Sequence, residues 1–342
     1  MASNGERHRT WLARAQQTFV ATGAPVFGSA LLTNVRRQAL EDTLGRFANQ
    51  AEPLAERFLW DPEAARPELQ ALADRALTQM RAAVTLRAGE RGLARAAAAR
   101  MDSWWRATEG QEHIDDERLA AHVRVRILSH LDRMNAFFDS YRAFFRNLLP
   151  LCRSDGPTTV LDLAAGHGGF ALAAAELAAQ SGRQLAITAS DIKPEYVDLA
   201  RASAELRGLS NVTFAVQNAL DLTTIAPGRY DVITCTQSLH HFSAGQVAVM
   251  FAEACRVAGR GVLFIDGARG ALNAAGVAGL SLLLFRDREL SHDALVSFRR
   301  FFVPEELELL ARIGPWGSTA RAFWSPPGLC VLAADKPARA AS

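Results

Sequence analysis

The segment Leu161-Asp162-Leu163-Ala164-Ala165-Gly166-His167-Gly168-Gly169 carries residue types that imply chemistry directly. Glycine lets a backbone pass close to a ligand. The apolar run before it reads as a strand, and the residues after it read as the start of a helix. Asp191 closes the next apolar run. A carboxylate there can accept hydrogen bonds from both hydroxyls of a ribose. In open α/β sheets ligands bind outside the carboxyl ends of the strands, where these residues would lie. The spacing leaves more than one reading open. Gly166-x-Gly168-x-x-Ala171, with an acid about 20 residues on, also satisfies the dinucleotide fingerprint of a nicotinamide-dependent oxidoreductase. A tight strand-to-helix turn also needs glycine when it binds nothing.

A second group of residues could move a proton. Histidine suits that task near neutral pH. His240, followed by His241, comes after the fourth apolar run, and His292 stands beside Asp293. His240 is the first candidate base and His292 the second. Asp293 could orient the His292 ring, and Arg299 or Arg300 could hold an acidic group of a substrate. The plain alternatives are packing for His240 and His241, and a helix N-terminus at Asp293 with the arginines in solvent. Asp266, at the end of the fifth run, faces the ligand side or caps the next helix; Asp287 is a weaker candidate. The four cysteines, Cys152, Cys235, Cys255 and Cys330, form no CxxC pair. No histidine cluster has metal-ligand spacing, so no metal is expected.

The elements that must position these residues alternate. Residues 159–163, 185–191, 212–216, 230–234 and 261–265 read as strands separated by helical stretches. Pro194 suits the first turn of one of those helices, and 320–324 with 329–333 suggest a terminal hairpin. This alternation predicts a mostly parallel seven-stranded sheet with helices on both faces. Ahead of it, Leu128, Leu131, Met134, Phe138, Tyr141, Phe145 and Leu148 recur at three and four, predicting one amphipathic helix over 128–149 that ends before Pro150. Its aromatics either pack in the core or wall the site. Residues before about 125 are rich in Ala, Leu, Arg and Glu and read as helices, broken by Pro53, Pro62 and Pro67. The uncharged stretch 270–285 is either an apolar lid or a plain core helix, and is too short to span a bilayer. We expect an all-α domain over 1–126, covering the site or mediating a homodimer, and a catalytic domain over 127–342.

The 342 residues carry a formal net charge of +2, so no strong field draws the molecule to nucleic acid or anionic lipid. Basic residues are nearly all arginine, with lysine only at Lys193 and Lys336. The apolar segment 19–32 is interrupted by Thr22, Gly23, Pro25, Gly28 and Ser29 and does not read as a signal peptide. A cytoplasmic protein is expected, with neither nucleic acid nor membrane as partner.

Taken in order, several blocks resemble class I S-adenosylmethionine-dependent methyltransferases. Leu161-Asp162-x-Ala164-x-Gly166-x-Gly168 looks like the motif LDxGxGxG, and Ser190-Asp191-Ile192 looks like the acidic loop. Residues 211–214 with Asn218-Ala219-Leu220-Asp221 are similar to the adenine-side block, and 230–235 with Leu239-His240-His241-Phe242 to the fourth-strand block. The resemblance covers about 150–335. It implies a Rossmann-like fold and S-adenosyl-L-methionine as cofactor, with S-adenosyl-L-homocysteine as product. By that resemblance Asp162, Ala164, Gly166 and Gly168 would lie along its methionine and ribose portions, and Asp191 would bind the ribose. Ile192 would pack on adenine, Asn218 would face the adenine amino group and Ala219 the ring edge. Cys235, Thr236 and Gln237 would meet the methionyl end. Two positions depart from the pattern: Ala164 replaces the first glycine, and Asn218 the common aspartate.

The resemblance is to ubiquinone-type and phenolic O-methyltransferases, so the expected reaction is in-line transfer to an oxygen of a small molecule, such as a secondary metabolite or phenol, with a histidine base. The alternatives are a carboxylate or nitrogen of a peptide or modified natural product, the oxidoreductase above, and a cofactor-binding scaffold. Base-directed DNA enzymes of this class carry an Asn/Asp-Pro-Pro-aromatic block where this chain has Cys235-Thr236-Gln237-Ser238. Cytosine C5 enzymes carry Pro-Cys, whereas Cys235 follows Thr234.

Overall fold

The computed structural model describes residues 28–106, 112–116, 118–326 and 328–337; the interrupted segment 19–32 lies mostly outside them. Strands β1 (Thr158–Leu163), β2 (Leu185–Asp191), β3 (Val212–Val216), β4 (Tyr230–Thr236), β5 (Ala258–Gly267), β6 (Arg321–Ser325) and β7 (Leu329–Asp335) form one sheet. Its order is β3-β2-β1-β4-β5-β7-β6. The first five strands are parallel, and β7 runs antiparallel between β5 and β6. This is the mostly parallel seven-stranded sheet that the alternating pattern predicts. Helices α6 (Gly169–Gln180), α7 (Pro194–Leu206) and α8 (Ala244–Val257) connect the parallel strands.

Both faces of the sheet are covered, so its central strands are apolar on both sides. Leu161, Leu163, Ile233 and Phe264 enter one core, whereas Val160, Val232, Leu263 and Ile265 enter the other, alternating along each strand. The first core also takes in the N-terminal helices α1 (Gly28–Trp60), α2 (Pro62–Glu90) and α3 (Leu93–Arg106). Helix α2 buries Leu69, Leu72, Ala73, Ala76, Leu77 and Met80 at helical spacing and packs on α8. Pro62 starts α2, as its missing N–H allows. Pro53 and Pro67, predicted as breaks, lie inside α1 and α2. Buried side chains on both sides of Pro53, Phe47, Ala51, Leu54 and Phe58, hold α1 continuous against the lost hydrogen bond.

The helix predicted over 128–149 is two helices, α4 (Ala121–Phe137) and α5 (Ser140–Leu148). Asp139 between them takes the left-handed conformation at φ 55°. The apolar spacing continues across the break, so periodicity alone could not show it. Helix α9 (Ala271–Phe285) pairs with α10 (Arg288–Arg300), and α11 (Pro304–Arg312) closes the sheet edge toward α1, α2 and α8. No helix among the described residues is long and apolar enough to cross a membrane. The four cysteines are free and buried.

Candidate active site

Two cavities lie at the carboxyl ends of β1, β2, β4 and β5. The first, about 240 Å³, is lined by Ala164, Gly166, Asp191, Ile192, Thr236 and Gln237 among the residues expected from sequence. The β1 turn is shaped by three residues with positive φ: Ala164 at 48°, Gly166 at 56° and Gly168 at 79°. Gly166 faces open space, as a backbone approached by a ligand requires. Asp191 ties the turn to β2. One of its carboxylate oxygens accepts the Gly166 N–H and the other the Lys193 N–H, both at 2.9 Å. Each oxygen keeps a lone pair for a further donor. Beside it the Ile192 side chain is 61% exposed, an apolar surface that a flat ring would cover. These features fit a nucleoside with free ribose hydroxyls.

Other expected residues do not line this cavity. Asp162 is buried beneath the turn, where the Thr234 hydroxyl donates to its Oδ1 at 2.7 Å. Its Oδ2 has no partner, and burial pushes its pKa up to about 7. Cys235 is fully enclosed in β4 and burial raises its pKa well above the usual thiol value, so it offers no thiolate. Gly168 packs toward Ala200. The Asn218 side chain accepts the Leu220 N–H at 3.0 Å, and Ala219 is buried.

Residues from α4 and α5 close the turn from above: Tyr141, one of the aromatics expected to pack or to wall the site, and Asp132, which the sequence did not single out. Tyr141 donates to Asp132 at 2.6 Å, and His167 Nε2 lies 2.9 Å from the same carboxylate. A Cβ on Gly169 would meet the Tyr141 hydroxyl at 2.3 Å, so this lid requires glycine there. The Asp132 carboxyl lies below the usual range: its bonds to His167 and Tyr141 outweigh the opposing effect of burial.

The second cavity, about 200 Å³, has mostly apolar walls from Ile127, Leu131, Met134, Phe138, Phe298 and Phe301. Its polar end holds His240. The Asp266 carboxylate accepts the His240 backbone N–H at 3.0 Å and lies 2.8 Å from His240 Nδ1. A carboxylate at Nδ1 favours the tautomer with its proton there, leaving a lone pair at Nε2. Glu112, which the sequence did not single out, places Oε1 3.6 Å from that Nε2. Ligand atoms of Glu112, His240 and His241 lie within 4.8 Å of one another, a grouping made by tertiary contact and invisible in sequence spacing. Ile114, Leu131, Gln237 and His241 line both cavities. Gln237, at φ 55°, is held by a reciprocal amide pair with Asn135 at 2.9 Å in each direction.

The second candidate base is placed differently. His292 is 45% exposed and lines neither cavity, and its Nδ1 lies 3.2 Å from Asp293 Oδ1. Asp293 also accepts the backbone N–H groups of His113 and Ile114, at 2.7 and 3.1 Å. Arg299 stacks over Trp105 at 4.7 Å, and neither it nor Arg300 lines a cavity. Asp287 caps α10 through the Leu290 N–H and meets His130 at 2.7 Å. Stretch 271–285 is a helix, and its Asn273, Val277 and Ser281 form part of the second cavity's wall.

A family model described as a methyltransferase domain matches residues 160–261. A ubiquinone biosynthesis O-methyltransferase of Xanthomonas campestris pv. campestris is 35% identical over 107 residues, covering 31% of this chain and 41% of the relative. The enzyme of the same name from Xanthomonas euvesicatoria pv. vesicatoria is 37% identical over 82 residues, covering 24% and 31%. The chain thus spans about two fifths of the length of the first of these curated relatives. Among solved structures, an S-adenosylmethionine-dependent methyltransferase from Aquifex aeolicus is 17% identical, covering 57% of this chain and 89% of that one, with a TM-score of 0.40. Magnesium protoporphyrin IX methyltransferase from Synechocystis is 16% identical, covering 70% and 95%, with a TM-score of 0.40. An antiparallel strand between the fifth and sixth separates this sheet from the dinucleotide-binding order 3-2-1-4-5-6. Residues 160–261, which run from β1 into β5, are a methyltransferase domain.

Proposed function

We propose that the chain methylates an oxygen of a small, largely apolar molecule, with His240 as the base. One observation carries this reading: a cavity fit for a nucleoside meets an apolar cavity holding a histidine–carboxylate pair, and four residues belong to both walls. S-adenosylmethionine, when bound, supplies an electrophilic methyl group on a sulfonium. Asp191 would hold its ribose, Ile192 and Tyr196 would flank the adenine, and Thr236 and Gln237 would meet the methionyl end.

The chain's own residues then have three tasks. The first is alignment, because in-line displacement gains much of its rate from positioning. Gln237, fixed by Asn135, sets the distance between the cavities. The second is exclusion of water by Ile114, Leu131, Met134 and Phe138. The third is proton removal: His240 Nε2 takes the proton of an acceptor hydroxyl while Asp266 holds the ring and balances the imidazolium. The names of the ubiquinone-pathway relatives suggest a phenol-like acceptor, as found among secondary metabolites.

Titration calorimetry tests the reading. S-adenosylmethionine should bind and NADH should not, and Asp191→Ala should weaken binding by about 1.5–3 kcal/mol, the range for hydrogen bonds to a charged group. Preference for NADH would sink the proposal. With a phenolic acceptor found by screening, His240→Gln should retain cofactor affinity and lose about 10²–10⁴ in kcat; unchanged turnover would remove His240 from the mechanism.

A further inference from the structure

The acceptor cavity has a charge character that the proposed reaction does not itself require. Its lining includes three carboxylates, Glu112, Asp266 and Asp293, and, among the described residues, no lysine or arginine. Two of the three are occupied within the protein. Asp266 serves His240 and the Gly267 N–H, and Asp293 serves the backbone at His113 and Ile114. Glu112 differs. It is 4% exposed, takes one hydrogen bond at 2.9 Å from the Ser297 hydroxyl, and presents Oε1 toward His240 Nε2. Two arginines outside the lining have partners of their own. Arg269 is enclosed by Asp102 and Glu306, and Arg299 lies on Trp105.

We propose, building on the methyl-transfer reading above, that this cavity selects uncharged or cationic acceptors, that it rejects acceptors bearing a carboxylate or phosphate, and that Glu112 sets the selection. An anionic group beside Glu112 would share a largely apolar pocket with a like charge and meet no lysine or arginine of the lining, only the imidazoles of His240 and His241. A hydroxyl or ammonium would donate to Glu112 and be held next to Nε2. The same carboxylate suits the proton transfer, since an imidazolium formed at His240 would lie between Asp266 and Glu112. Glu112 owes its place to the short turn His113–Asp115, which Asp293 pins to α10. The selecting residue therefore stands on the short segment 112–116, held to α10 through Asp293.

The test uses the full chain, dialysed against a chelator and saturated with S-adenosylhomocysteine. Binding of 4-butylphenol, 4-butylbenzylamine and 4-butylbenzoate is measured by calorimetry at pH 7.5. The phenol and amine should bind, and the benzoate should bind at least about tenfold more weakly than the phenol. Glu112→Gln should narrow the phenol–benzoate gap and weaken the amine, and Glu112→Ala should do the same if the glutamine variant folds poorly. Benzoate binding as tight as phenol in the wild type would overturn the proposal, as would a gap unchanged in a folded Glu112 variant. Failure of all three probes to bind the saturated protein would also overturn it, while leaving methyl transfer intact. Failure of S-adenosylhomocysteine to bind would instead sink the methyl-transfer reading, and the probe preference would still judge the cavity.

Discussion

At Ala164 the local sequence departs from what its backbone needs. Its φ of 48° belongs to glycine, and a Cβ there is strained. Ala164→Gly should therefore stabilise the protein by about 0.5–1 kcal/mol despite the added freedom of the unfolded chain, read as a higher denaturation midpoint; a loss would mean that the methyl group packs usefully. Asp162, directly before that turn, makes a prediction of opposite character. Its pKa is raised from 3.8 to about 7 because burial penalises the charged form. The folded state thus holds a proton that the unfolded state releases, and stability falls as pH rises from about 4 to about 7. Denaturant titrations at pH 5 and pH 8 should show the wild type losing stability that Asp162→Asn does not lose; parallel profiles would show that the carboxyl is ionised throughout. The glycine turn and Asp191 were legible in the sequence because they sit at fixed offsets from strand ends. His240 was legible for the same reason. Glu112, Asp132 and Asn135 were not, since tertiary packing alone brings them to the site and no spacing records it.

Among the elements, the strands and their order of appearance were readable from alternation, whereas the turn at Asp139 was not. An apolar repeat of three and four is satisfied equally by one helix or by two helices sharing a face. The break matters, because α4 supplies Leu131 and Met134 to the wall of the second cavity while α5 supplies Tyr141 to the lid over Gly169. The loop after β5 has its own anchor. Arg269, 1% exposed, donates to Asp102 on α3 and to Glu306 on α11, and Arg81 of α2 reaches the same glutamate at 2.8 Å. Arg269 holds the Glu306 carboxyl well below its usual range, against the opposing effect of burial. Removing the arginine leaves two acids facing each other without their main counter-charge. Arg269→Met should cost about 3–5 kcal/mol, measured by chemical denaturation; a loss under 1 kcal/mol would mean that Arg81 and Arg36 compensate.

For the whole molecule, the question is whether the N-terminal helices are an appendage or part of one folding unit. Sequence composition predicted helices there but gave no sign of where they dock. The contact between α2 and α8 answers in residues. Gly245, in the first turn of α8, donates its N–H to Asp74 of α2 at 2.8 Å. A Cβ on Gly245 would lie 2.5 Å from the Gln70 carbonyl oxygen and 2.4 Å from Gln70 Cγ. Around it Arg66 reaches from α2 to Glu253 on α8 and to Asp221 after β3, at 2.9 and 3.0 Å. Local and tertiary effects therefore predict opposite signs for one substitution. In an isolated helix Gly→Ala is worth about 1 kcal/mol of stabilisation. At this junction the methyl group has no room, and overpacking against backbone should instead cost about 1–3 kcal/mol. Gly245→Ala followed by thermal unfolding and limited proteolysis decides between them. A lower midpoint with earlier cleavage within residues 62–106 would show that the N-terminal helices and the sheet with its helices are stabilised through this contact. A raised midpoint would show that the added methyl group is accommodated and that helix propensity outweighs the crowding at this contact.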